Sequence, residues 1–127
     1  MVNVEDSAIA LTERLARLLE TEFEALSGRD LERLETLTEQ REGLLKQLLY
    51  FRQTNQELWT SEAFSNVRSA LKNCQELHKR NELLLARQVE AVREALGVLR
   101  KSSDDADLYD RLGRLAQRRS HLFSDDV

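Results

Sequence analysis

The chain has 127 residues, enough for one domain, with 41% hydrophobic and 33% charged residues, no proline and only four glycines. That leucine-, glutamate- and arginine-rich balance belongs to long helices rather than to sheets. A net charge of −4 gives no overall electrostatic basis for holding nucleic acid or anionic lipid, and one cysteine excludes an internal disulfide and fits a reducing compartment.

The start, MVNVEDSAIA, has neither a basic n-region nor an apolar h-region, so no signal peptide is read. The first helical stripe follows at once: Ala8, Leu11, Leu15, Leu18, Leu19, Phe23 and Leu26 step by three and four. Asn3, with Asp6 three residues on, supplies a capped, acidic first turn. Ser27-Gly28 predicts a C-cap and Asp30 a restart; whether Gly28 is a sharp turn or a kink decides between three helices and two long ones. The second stripe is Leu34, Leu37, Arg41, Leu44, Leu48, Phe51, Asn55 and Leu58, closed by Trp59, with Thr60-Ser61-Glu62 as the cap of the next helix.

The third stripe is the longest. Phe64, Val67, Leu71, Cys74, His78, Asn81, Leu85, Gln88, Val92, Ala95 and Leu99 alternate by three and four without a slip, a spacing that lays one seam against neighbouring helices. Glu13–Arg17, Glu42–Lys46 and Glu76–Arg80 stand four apart on outer faces, each pair worth a few tenths of a kcal/mol. Ser102-Ser103-Asp104-Asp105 predicts a stop, and a last amphipathic segment carries Leu108, Leu112, Leu115 and Leu122 on one face. The expected fold is all-α: an antiparallel helical bundle or coiled-coil hairpin over 1–101, with a long third helix and an amphipathic tail over 102–127.

Chemistry is sparse. Cys74 and His78 share a helix face at metal-ligand spacing, but two ligands make no site, and they read as a core thiol beside an edge histidine. No base and orienter can be placed around Cys74, no glycine-rich phosphate loop is present, and the carboxylates belong to solvated faces. No enzyme, metal or cofactor is expected. Arg111, Arg114, Arg118 and Arg119 are interleaved with acids and read as a solvated helix face. The polar residues inside the stripes, Asn81, Gln88, Arg41 and Asn55, are compatible with a wet bundle edge, with register selection, or with a groove left for another helix.

Three stretches, ELHKRNELLLARQVEAVREALGVLRK, SSDDAD and LYDRLGRL, follow one another as an Asn-bearing patch with leucines, a Gln-centred amphipathic run, a polar break and a Leu-Tyr pair. Upstream, LSGRDLERLETLTEQREGLLKQLLYF has a Gly-containing break, a leucine-spaced helix and a Leu-Leu pair. In order and spacing, over essentially the whole chain, these resemble the FlgN family of flagellar type III export chaperones of the hook–filament junction proteins. One departure is visible: the family commonly has Asn-Gly where this chain has Asn81-Glu82.

The resemblance implies a cytoplasmic chaperone that holds the C-terminal helical segments of the hook-associated junction proteins FlgK and FlgL and brings them to the export apparatus. Joined to the helical pattern, it places client binding on Asn81, Leu84, Leu85, Gln88, Val92 and Leu99 of the third helix and Leu108, Leu112 and Leu115 of the tail. It also puts Tyr109, in the Leu-Tyr pair, against the cytoplasmic domain of the export gate, FlhA. The tail can alternatively fold back as a last helix capping the core, or dock there until a client displaces it. Two other classes stay open. A generic coiled-coil scaffold would form a homodimer or larger oligomer through the polar-punctuated seam. A histidine phosphotransfer domain would expose His78, which Lys79 and Arg80 follow, although Asn81-Glu82-Leu83 stand where small residues are expected. No nucleic-acid partner is expected, and no apolar run reaches the length of an integral membrane segment.

Overall fold

The computed structural model describes residues 3–99 and 103–123, with side chains described for 3–97 and 106–118. Every element among them is helical. Asn3 caps α1 (Val4–Ser27) by accepting the Glu5 N–H at 3.0 Å, and Glu5 and Asp6 occupy the first turn, where the helix dipole favours negative charge. The break after α1 is a sharp turn. Arg29 N–H donates to the Leu26 carbonyl at 3.1 Å and Asp30 N–H to the Ala25 carbonyl at 2.9 Å, the two bonds of a Schellman cap. Its left-handed position is held by Arg29 (φ 54°), while Gly28 keeps an ordinary helical φ of −84°. Asp30 then caps α2 (Leu31–Thr54) by accepting the Arg33 N–H at 3.2 Å.

The second stripe leaves the core at its end. Asn55 stops α2, its Nδ2 donating to the Phe51 carbonyl at 3.0 Å, and Leu58 on the short α3 (Gln56–Trp59) is exposed. A 3₁₀ turn (Glu62–Phe64) leads into α4 (Ser65–Leu99). Phe51 stacks on Phe64 and Trp59 packs tilted against it, each with ring centroids 6.1 Å away, closing this end of the core. Arg68 staples the connection by donating to the carbonyls of Trp59 and Ser61. After residues 100–102, which lie outside the described ones, α5 (Ser103–Phe123) begins, so Asp104 and Asp105 open a helix as well as following the end of one.

Around the bundle the helices follow the order α1, α2, α5, α4. The two hairpins, α1/α2 and α4/α5, are antiparallel within themselves, but α4 runs parallel to α1 and α5 parallel to α2. The pairings show it: Cys74, Asn81 and Gln88 meet Thr12, Leu19 and Leu26, and Arg111 and Arg118 meet Glu35 and Glu42. The segment from Asn55 to Phe64 therefore crosses the bundle diagonally. Between the four helices lies one core, with Ala8, Leu15, Leu19, Leu26, Leu34, Leu45, Leu48, Val67, Leu71 and Leu85 all but completely buried; each large aliphatic there contributes about 1.5–3 kcal/mol by leaving water. Leu112 and Leu115 of α5 belong to that same core, so the tail is docked as the fourth helix. Leu122 and His121 lie in the part of α5 whose side chains are outside the described residues. Among the described residues no helix is long and apolar enough to cross a membrane.

Candidate functional site

Along α4 the third stripe changes character. From Phe64 to Leu85 its members are buried, Gln88 and Val92 are half-buried, and Ala95 is exposed. The seam opens because α1 has ended at Ser27, leaving two further turns of α4 with nothing of α1 beside them. What remains is an apolar cleft of about 240 Å³ at the end of the bundle. Gln88, Val92 and Ala95 form one wall, Leu108 and Leu112 of α5 the other, and Leu26, Leu31 and Leu34 the floor under the α1–α2 turn. Arg29 and Asp30 sit at its mouth.

Four of the residues expected to hold a client, Gln88, Val92, Leu108 and Leu112, are thus brought together in one cleft. The others are placed elsewhere. Asn81 and Leu85 are fully buried on the seam with α1, Leu84 is half-buried against the core, and Leu115 is buried under α5 one turn beyond the cleft. The Leu99 side chain lies outside the described residues. Tyr109 is half-buried on α5, next to the exposed Leu108. Ala25, Ala91, Ala95, Arg29 and Asp30 complete the lining. Sequence periodicity had no means to find the last two, because they belong to a turn whose position depends on packing.

The polar residues of the seam have a different task. Asn81 Nδ2 donates to the Leu19 carbonyl at 2.8 Å and Gln88 Nε2 to the Leu26 carbonyl at 2.7 Å, while the Cys74 thiol points at the Thr12 carbonyl at 3.6 Å. All three span the same 62-residue separation, one heptad apart along both helices, so they act as rungs that lock α4 in register on α1. At the outer edge of the same seam, Arg80 lies 3.9 Å over the Phe23 ring and 3.2 Å from Glu20 Oε1. Asn81 and Arg41 are wholly buried, so neither stands at a wet edge.

Arg41 is the centre of a buried charge cluster. Its Nε is 3.5 Å from Glu22 Oε1 on α1, both side chains fully buried, and its Nη1 is 3.4 Å from His78 Nδ1 on α4. His78 Nε2 faces Glu82 at 3.9 Å. Burial pulls the Arg41 guanidinium down to about 10. Burial, reinforced by the Arg41 charge, pulls His78 down to about 3, so its imidazole is neutral and accepts from Arg41 through Nδ1. Burial raises Glu82 to about 7, with Arg41 opposing. His78 is therefore a core residue rather than an edge histidine, and burial pushes the Cys74 thiol up to about 11, away from the thiolate that would bind a metal. Among the described residues no group of His, Cys, Asp and Glu could hold a metal ion.

The arginines of α5 are also more than a solvated face. Arg111 pairs with Glu35 and Arg118 with Glu42, one heptad apart, pinning α5 along α2. Arg118 is held above the usual guanidinium value, first of all by its hydrogen bond to Glu42. Glu42 and Arg80, which local spacing pairs within their own helices, reach across to other helices instead. No family model, characterised protein or solved structure matches this chain.

Proposed function

We propose that this chain is a cytoplasmic flagellar export chaperone, a binding protein rather than an enzyme, whose clients are the C-terminal helical segments of the junction proteins FlgK and FlgL. The observation that carries the reading is the opening of the α4 stripe from Gln88 to Ala95 into an apolar cleft flanked by Leu108 and Leu112. An amphipathic helix that its own protein cannot yet bury needs such a surface, and two turns of α4 match two turns of a client helix. The resemblance of the third helix and tail to the FlgN family supplies the identity of the client. Tyr109, beside the cleft on α5, is the residue we assign to the export gate FlhA. The buried position of His78 against Arg41 disfavours a phosphotransfer domain, which has to present its histidine to a donor.

The test is calorimetric titration of FlgK and FlgL C-terminal fragments into the full chain and into Val92→Glu. The wild-type chain is expected to bind, Val92→Glu to lose at least tenfold in affinity while melting normally, and Tyr109→Ala to keep client binding while losing affinity for the FlhA cytoplasmic domain. No binding of either fragment by the wild-type chain refutes the client assignment.

A further inference from the structure

Only two of the residues lining the cleft are charged, Arg29 and Asp30. Asp30 is committed to the fold, its carboxylate accepting the Arg33 N–H at the positive start of α2. The Arg29 side chain is exposed and makes no hydrogen bond or ion pair among the described residues. Its backbone is as unusual as its side chain. Arg29 is the only described residue with a positive φ, at 54°. The left-handed conformation is unfavourable for a residue with a side chain and free for glycine, which usually holds this place in a Schellman cap. Here the glycine stands one position earlier, at an ordinary helical φ. A strained backbone thus presents, at the mouth of an apolar cleft, a guanidinium that no contact within the fold uses. Strain that the fold itself does not compensate points to a task beyond the fold.

The shape of the cleft decides which part of a client helix reaches Arg29. Beside Gln88 the lane along α4 is still filled by α1, whose Leu26 carbonyl accepts the Gln88 bond, and it empties only beyond Ser27. A helix packed along Val92 and Ala95 therefore continues the lane of α1, and one of its ends stops against the Ser27–Asp30 turn. An internal helix would have to carry its chain onward through the turn or the end of α1. A helix that ends its chain fits without obstruction. The two ends of a helix also differ in charge, the N-terminus being positive and the C-terminus, with its unpaired carbonyls, negative. An unpaired guanidinium repels the first and attracts the second. A chain terminus adds a full carboxylate, whose two oxygens match the planar fork of an arginine.

We propose, building on the client reading above, that Arg29 reads the free C-terminus of the client. The client helix lies antiparallel to α4 with its last turns on Val92 and Leu108, and Arg29 holds its terminal carboxylate at the Ser27–Asp30 turn. Arg29 is thereby the residue that separates a chain-ending helix from an internal helix of equal hydrophobicity.

Calorimetric titration with paired synthetic peptides tests it. Each pair covers the C-terminal helical segment of FlgK or FlgL and differs only in a free or an amidated terminus. The full wild-type chain is expected to bind the free acid about tenfold more tightly, the size of one charge-assisted hydrogen bond. Arg29→Gly is expected to bind both forms alike, at the affinity of wild type for the amide, while melting no lower than wild type. Arg29→Asn removes the charge with a side chain that tolerates the left-handed backbone, and it should behave the same way, which separates lost charge from a loosened turn. Wild type binding acid and amide equally, or Arg29 variants that keep the discrimination, would overturn the proposal and leave the client reading standing. Wild type binding neither peptide would overturn both.

Discussion

Replacing Arg41 by methionine removes the positive charge at the centre of the core while keeping the length and helix preference of the side chain. Glu22, 3.5 Å away and fully buried, then loses its cationic neighbour with no route to water. Breaking a buried ion pair from one side costs about 3–5 kcal/mol, because the abandoned charge keeps its desolvation penalty. A chain of 127 residues has an unfolding entropy near 0.27 kcal/mol per kelvin at its melting point, so the loss corresponds to roughly 10–20 °C. Removing both charges in Arg41→Met/Glu22→Leu leaves an apolar pair of similar volume and should return most of that loss, or exceed it. Urea unfolding of the two variants, followed by far-UV circular dichroism, measures both numbers. If Arg41→Met costs less than about 1 kcal/mol, or the double variant is worse than the single, the cluster is not a dry ion pair and the reasoning fails.

The pair of α4 side chains beneath Arg41 makes a pH prediction. Glu82, with its folded value raised from 4.5 to about 7, holds a proton that the unfolded chain has lost, so it makes stability fall as pH rises through that window. His78, lowered from 6.5 to about 3, does the opposite, because there the unfolded chain holds the proton. Between pH 4.5 and 6.5 the two effects cancel in the wild-type chain. In His78→Gln the melting temperature should fall relative to wild type as pH rises from 4.5 to 6.5, and parallel profiles would refute the assignment. At the first turn, Arg29→Gly should add about 0.5–1 kcal/mol by relieving a left-handed residue with a side chain, whereas Gly28→Ala should be neutral or slightly stabilising. Chemical denaturation separates them, and a destabilised Arg29→Gly would show that the Arg29 side chain at the cleft mouth contributes more than its backbone strain costs.

The stripes of α1, α2 and α4 were legible because burial in a bundle obeys a spacing that any single helix displays. Leu15, Leu19, Leu44, Leu48, Val67, Leu71 and Leu85 needed no knowledge of the partner helix to be placed inside. The turn at Ser27–Asp30 was legible in position but not in detail, since the glycine draws the eye and Arg29 adopts the unusual backbone. What spacing could not reveal was partnership. Asn81 on an apolar stripe looks the same whether it faces water, a client or the Leu19 carbonyl, and only the docking of α4 beside α1 chooses. His78 looked like an edge residue because nothing local announces Arg41, 37 positions earlier. Arg111 and Arg118 looked solvated for the same reason, their acids lying 76 residues away. The cleft was half visible. Gln88, Val92, Leu108 and Leu112 were named from pattern and resemblance, whereas the space between them exists only because α1 stops short of the end of α4.

The parallel docking of α4 on α1 has a consequence for the growing chain. The α1/α2 hairpin closes through a tight turn and is complete once Thr54 has emerged, yet Leu15, Leu19, Leu45 and Leu48 then have no third helix over them. Each rung of the α1–α4 seam waits for a residue 62 positions later, which at about 5–20 residues per second is a delay of roughly 3–12 s. For that interval the amino-terminal hairpin is an uncovered apolar surface tethered to a ribosome, and non-local pairing of this kind is the slow step of assembly. Until α4 docks, the stability of that hairpin rests on the α1–α2 contact and the caps of the Ser27–Asp30 turn alone.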